Sequence, residues 1–224
     1  MATDLIRNEQ IWISPSERRT IYIPKGSEVT DDKTLWQFIR DNSFGILFSQ
    51  KNDVPFATHL PFLIDEQAGN HGTLLSHMAK ANAHWKDINN HKVLVVFQGP
   101  HAFISSLWYG EEKVVPTWNY TAVHVYGKFV QIAQRKELKR IILDTLKLHE
   151  NGSPVLANRN QAFFDGLLNA VVGFKIEIEK MEGKWKLSQN HSVEQQRKLI
   201  AALKSVGDPN SIEIAHLMET NLDT

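Results

Sequence analysis

The stretch Val114–Gly127, VVPTWNYTAVHVYG, decides how the chain is read. A strand that begins just after Pro116 alternates its side chains between two faces. Trp118, Tyr120, His124 and Tyr126 then share one face, and Thr117, Asn119, Thr121 and Val123 share the other. A Trp-Tyr-His-Tyr row of this kind serves as core, as subunit interface or as the wall of a ligand site, and alternation alone favours core or interface.

The same short period surrounds that stretch. FGILFSQ (44–50), PFATHLPFLID (55–65), GTLLSHM (72–78), KVLVVFQ (92–98) and HAFISSLWY (101–109) are β-like runs, and the opening strand continues to residue 133. Gly, Pro, Asn and Asp punctuate them, and Gln98-Gly99-Pro100 reads as a hairpin turn between two of them. A later run, 171–183, alternates Phe174, Ile176 and Ile178 with Lys175, Glu177 and Glu179, the pattern of a half-exposed strand. Closely spaced strands with almost no helix between them imply an antiparallel barrel or sandwich rather than a parallel sheet.

Helical periodicity frames the strands. Residues 31–41 carry the apolar stripe Leu35, Trp36, Phe38 and Ile39, with Thr30 as the expected cap. A short helix is expected near 79–88, an amphipathic one over 135–150, and another short one near 160–168 after a loop with Asn151, Gly152 and Pro154. Two helices close the chain, and Ser192 with Gln195 three residues on forms a capping box for the first. Residues 1–20 read as an extension, and residues 21–224 as one domain.

Composition excludes several functions. The 224 residues include 25 Lys and Arg against 25 Asp and Glu, so the net charge of zero argues against a broad nucleic-acid-binding face. With no cysteine, disulfides, thiolate nucleophiles, zinc-thiolate sites and iron-sulfur clusters are excluded. The charged N-terminus lacks the apolar core of a signal peptide, and no apolar run is long enough to span a bilayer, so the expected location is cytoplasmic, with no membrane contact. Neither a P-loop, a G-x-G-x-x-G, a G-x-S-x-G nor an H-E-x-x-H occurs. The ten histidines therefore imply no dedicated metal site.

Chemistry concentrates in four places. In LLSHMAKAN (74–82) a strand alternates Ser76 and His77 between faces and then releases Lys80 beside the start of the short helix; hydroxyl, imidazole, ammonium and helix N-terminal amides suit a phosphate dianion. In PFATHLPF (55–62), Thr58 and His59 stand among apolar residues and need partners, internal or from a ligand, while Pro55 and Pro61 fit an edge strand. Lys186, Ser188, Gln189 and Asn190 form a polar cluster without an evident structural duty. The basic residues of 135–150 are interrupted by Glu137 and Asp144, the pattern of a solvated helix rather than of a DNA-reading one.

Taken in order, IYIP (21–24), PFATHLPF, GTLLSHMAKANAHW, VVFQGPHAFIS, VPTWNYTAVHVYG, FFDGLLNAVVGFKIEIEKMEGKWKLSQN and the final GDP resemble the PaiB-type FMN-binding negative transcriptional regulators. The resemblance runs from about residue 21 to the C-terminus. It implies an α+β fold built on an antiparallel split β-barrel, related to pyridoxamine-phosphate-oxidase and flavin-reductase barrels, with peripheral helices and a C-terminal helical segment. It further implies FMN as cofactor and a homodimer with flavin sites at the subunit interface. Carried onto this chain, the phosphate falls to Ser76, His77, Lys80 and Asn82, and the isoalloxazine edge to Thr58, His59 and Leu60. Trp118 supplies a wall, Asn119 a hydrogen-bonding group, and Gln189 stands nearby. Repression through flavin occupancy or redox state is the expected function. The alternatives are a flavin-dependent oxidoreductase, a haem-binding barrel using His59, His101 or His124, and direct contact with DNA.

Overall fold

Asp31, rather than Thr30, caps the first helix: its carboxylate accepts from the Thr34 amide at 2.9 Å, and α1 runs Asp32–Asp41. The carboxylate meets the positive helix end, which a neutral threonine would not do. The computed structural model describes residues 21–111, 113–150 and 161–223. The N-terminal extension and most of the loop before the second short helix lie outside these residues.

In chain order the remaining elements are β1 (Glu28–Val29, ahead of α1), β2 (Phe44–Lys51), β3 (Val54–Pro61), β4 (Leu63–Asp65), β5 (Thr73–Ala79), α2 (His84–Asp87), β6 (Lys92–Ile104), β7 (Thr117–Gln131), α3 (Arg135–His149), α4 (Gln161–Ala170), β8 (Val171–Lys186), α5 (Val193–Val206) and α6 (Pro209–Leu222). The strands form one antiparallel sheet in the order β3-β2-β6-β7-β8-β5-β4, with β1 added to β8. The sheet wraps until β3 and β5 approach each other. Ser192 and Gln195 form the expected capping box at the start of α5.

Alternation along the strands builds the barrel interior. Leu47, Leu60, Leu74, Met78, Val95, Phe97, Val123, Val125, Phe129, Phe174 and Ile176 all point inward into one buried cluster. Leu35, Phe38 and Ile39 of α1 enter that cluster from one end, and Ile88, just after α2, joins it as well. A second core forms where α5 and α6 pack Leu199, Ile200, Leu203, Ile214 and Met218 over Ala102, Ile104 and Leu187. On the outside of β5 and β8, α3 and α4 bury Leu75, Ile132, Ile141, Phe164 and Leu168.

The segment expected to be a hairpin turn is a bulge. Residues 92–104 are one strand, and its register with β7 shifts between Gln98 and His101. Pro100 lacks a ladder donor, and a Cβ on Gly99 would stand 2.7 Å from the Phe38 ring and collide with the Thr121 hydroxyl. The extra residue keeps Gln98, His101 and Phe103 on one face, and the β6–β7 ribbon runs on beyond its last pairing with β2. Beyond Ile104 the chain turns into a 3-10 helix, Ser106–Tyr109, where a longer strand was expected.

The expected short helix is also shorter than its sequence suggests. Strand β5 continues to Ala79, the Lys80 amide donates to Ala170 O at 2.8 Å, and α2 begins only at His84. Lys80 therefore stands beside no helix N-terminus, and helix amides are not part of an anion site there. Among the described residues no helix is long and apolar enough to cross a membrane.

Candidate functional site

The barrel has a seam. Among the described residues, strand β3 ends the strand order and pairs only with β2, while Ser76–Ala79 of β5 pair only with β8, because β4 stops at the partner of Leu75. Side chains cross the seam where a backbone ladder would otherwise run. The Ser76 hydroxyl, fully buried, donates to Pro61 O at 2.6 Å, and the Asn82 amide donates to Thr58 Oγ1 at 3.3 Å. Unladdered backbone N–H and C=O groups along such an edge are available to a ligand's polar rim.

At the end of the seam stands a cluster that the sequence reading missed. His84 is 4% exposed. Its Nδ1 lies 2.8 Å from Thr58 Oγ1 and its Nε2 2.7 Å from Ser49 Oγ, while its backbone N–H donates to Asn82 Oδ1 at 3.0 Å. The Phe56 ring covers it at 4.5 Å between centroids. Burial pushes the imidazole pKa below its ordinary value, so the ring is neutral near pH 7. Only the β2–β3 hairpin brings Ser49 and Thr58 together, and only α2 places His84 between them.

Other expected residues divide sharply. His77 leaves β5 on the face opposite Ser76, and its Nδ1 is buried without a hydrogen-bond partner; burial alone lowers its pKa. Lys80 is exposed just past the strand end, and no carboxylate among the described residues pairs with its ammonium. On β3, His59 is exposed and Leu60 buried. Ser76 belongs to the interior and so does not join His77, Lys80 and Asn82 as one cluster.

Trp118 and Asn119 separate as alternation requires. Trp118 is 53% exposed and meets Phe103 edge-on at 5.8 Å and His101 at 6.0 Å. Asn119 is fully buried, accepts from Ser188 Oγ at 3.1 Å and points its amide at Met218 Sδ, 3.5 Å away. Gln189 folds onto its own turn, accepting from the Leu187 amide at 2.8 Å and donating to Trp185 O at 2.5 Å. The polar cluster at 186–190 thus has a structural duty after all: Lys186 also holds the β7 end through Thr117 and Trp118 O. Burial, and then the neighbouring Lys184 charge, lowers the Lys186 pKa.

The aromatic row itself is not core. Tyr120, His124 and Tyr126 are half-buried on the outer sheet face, continuous through the cross-strand pairs with Leu94 and Val96 of β6 and with Ile46 and Phe48 of β2. The polar partners lie on β8. Lys180 pairs with Glu182 at 2.7 Å, and Lys184 donates to Tyr22 O at 2.7 Å while resting over the Tyr22 and Tyr120 rings. Burial lowers the His124 pKa, partly offset by Glu182. His59, His101 and His124 occupy three different strands of this surface.

Comparison with known proteins agrees with this architecture. Residues 21–180 match the family model described as "Putative FMN-binding domain". The chain is 38% identical over 207 residues to "Protease synthase and sporulation protein PAI 2" of Bacillus subtilis (strain 168), covering 90% of this chain and 98% of that protein. Among solved structures, the FAD and heme binding protein from Mycobacterium smegmatis superposes with a TM-score of 0.56 at 16% identity, covering 79% of this chain and 80% of that one. The flavocytochrome Anf3 from Azotobacter vinelandii gives 0.53 at 15% identity, over 70% and 68% of the two chains. These two share the fold, an antiparallel split barrel with flanking helices. By the family match and the extent of its likeness to PAI 2, the chain belongs to the PaiB-type FMN-binding family.

Proposed function

We propose that the protein binds FMN along the seam between β3 and β5, as a homodimer with flavin sites at the subunit interface, and that flavin occupancy or redox state is the signal by which it represses transcription. The observation that carries this reading is the seam: two strand edges that no described strand ladders, with an orphaned buried imidazole nitrogen on His77 and, just past the end of the same strand, the ammonium of Lys80, which no described carboxylate pairs. These groups fit the cofactor's needs. A phosphate dianion asks for a cation and further donors, which Lys80 and His77 supply. A flat polar-rimmed ring asks for amide and hydroxyl partners, which the free backbone edge of β3 at His59 and Leu60 and the side chains of Thr58 and Asn82 supply.

The outer face supports the homodimer. Ile46, Phe48, Leu94, Val96, His124 and Tyr126 form a half-buried, largely apolar surface on the outer sheet face, and Trp118 and Phe103 project from the ribbon beyond it. Within one protomer Trp118 sits on β7, the middle strand of the order and two or more strands from either edge of the seam, which supports a site completed by the Trp118 of a second copy. Ser76, Asn119 and Gln189 are committed to internal hydrogen bonds and serve the frame. When bound, the flavin supplies an electron-accepting ring; the chain's own residues hold it and exclude water. The net charge of zero favours an indirect route to transcription over direct contact with DNA.

A second reading, an FMN-dependent oxidoreductase, is favoured by the Ser49–His84–Thr58 chain of hydrogen bonds, which an occupancy sensor does not require. Titration of the protein with FMN, followed by quenching of flavin fluorescence, tests the first reading. Saturable binding of one FMN per chain, with loss of reporter-gene repression when binding is lost, supports it; absence of binding contradicts it. Anaerobic bleaching of the bound flavin by NADH or NADPH, with reoxidation by an acceptor, selects the enzyme.

A further inference from the structure

We propose that Ser49, His84 and Thr58 form a proton relay that carries a proton from solvent to a ligand atom in the seam. The inference rests on the reading that FMN lies against Thr58. Its evidence is the orientation of four polar groups. The His84 backbone N–H can only donate, so the atom it meets in Asn82 is the carbonyl oxygen, and the amide nitrogen of Asn82 is the donor to Thr58. One lone pair of the Thr58 hydroxyl is thereby occupied. The second lone pair and the hydroxyl proton are shared between His84 Nδ1, at 2.8 Å, and whatever stands in the seam.

His84 is almost wholly buried under Phe56 and has a hydroxyl on each ring nitrogen. A neutral imidazole carries one N–H, and two arrangements satisfy every atom. In the first, Ser49 donates to Nε2, Nδ1–H donates to Thr58, and Thr58 turns its proton toward the ligand. In the second, Nε2–H donates to Ser49, Thr58 donates to Nδ1, and Thr58 accepts from the ligand. Passing from the first to the second moves each proton one step along the chain. Thr58 gives its proton to the ligand and takes the one on Nδ1, Nε2 takes the one on Ser49, and Ser49, which is only half-buried, takes one from water. The net transfer is one proton from solvent to ligand. A flavin ring nitrogen changes from hydrogen-bond acceptor to N–H donor when an external reductant, such as a reduced nicotinamide, supplies the electrons. The two arrangements of the relay match those two states.

The test uses the full-length protein labelled with 15N in histidine and loaded with FMN. Two-bond nitrogen correlations should show His84 protonated on Nδ1 with oxidised flavin and on Nε2 after reduction by dithionite. In Ser49→Ala the second arrangement would leave a buried N–H without an acceptor, a rarer and costlier state than an unfilled lone pair. Binding of reduced over oxidised FMN should then fall about tenfold, a midpoint potential about 30 mV lower for the two-electron couple. Ser49→Thr, which keeps the hydroxyl, should restore it. Bound FMN with one His84 tautomer in both redox states, or an unchanged potential in Ser49→Ala, overturns the relay alone. Failure of the wild-type protein to bind FMN overturns the relay and the proposed function together.

Discussion

Replacing Trp118 by alanine separates interface from core more sharply than any other single change, because the next residue is its control. Trp118 is 53% exposed in the protomer. An aromatic side chain of this kind buries about 150–250 Å² in full, so the exposed half offers roughly 80–130 Å². At about 25 cal/mol per Å² that is about 2–3 kcal/mol for each copy. A symmetric dimer uses the patch twice, giving an upper value of about 4–6 kcal/mol and a dimer Kd raised roughly a thousand-fold or more. Loss of the Phe103 contact at 5.8 Å works in the same direction. Asn119→Ala, one residue on, removes a fully buried amide bonded to Ser188. It should cost about 1–3 kcal/mol of folding stability and leave the dimer Kd unchanged. Sedimentation equilibrium with and without FMN gives the dimer Kd of each variant, chemical denaturation gives the stability, and flavin quenching follows the site. A dimer Kd within threefold of wild type in Trp118→Ala, or a dimer lost in Asn119→Ala, refutes the assignment of faces.

Three further outcomes are expected. His77, His84 and His124 all have pKa values lowered by burial, so the unfolded chain binds more protons than the folded one just below the ordinary histidine value of about 6.5. Denaturant midpoints should therefore be level above about pH 7 and fall as the pH drops below about 6.5; midpoints that rise on acidification would contradict the burial of these rings. Gly99→Ala forces a Cβ against Thr121 and Phe38 and should cost about 1–3 kcal/mol in thermal or chemical denaturation, whereas a true hairpin turn would tolerate it. Ser192→Ala removes one half of the capping box and should cost about 0.5–2 kcal/mol, read by the same denaturation curves.

What the sequence made legible were the features carried by local periodicity. Alternation over 117–126 separates Trp118 from Asn119, and the punctuated strands give the antiparallel barrel. Where the reading failed, a non-local contact decided. Gly99 and Pro100 carry turn chemistry, yet Phe38 of α1 and Thr121 of β7 set the bulge they form. Ser76 and His77 are one residue apart in a polar motif, but the interior takes the first and the outer face the second. Nothing in the spacing of Ser49, Thr58 and His84 announces a cluster, because a hairpin and a four-residue helix assemble it. Asn82, two residues before His84, was the one local signal. The aromatic row is the reverse case: its pattern suits core or interface equally, and its half-buried place on the outer sheet face, apart from the interior cluster, makes it surface.

Whether the seam holds FMN through His77 and Lys80 is decided by titrating FMN into the wild-type protein and a His77→Ala/Lys80→Ala variant side by side, with circular dichroism to confirm equal folding. The wild type should show saturable quenching and stay yellow after gel filtration, and the variant should bind at least about a hundred-fold more weakly, equivalent to the loss of about 2.7 kcal/mol of charge-assisted contacts to the phosphate. Equal FMN affinity in the two proteins, or no binding in either, would contradict this assignment.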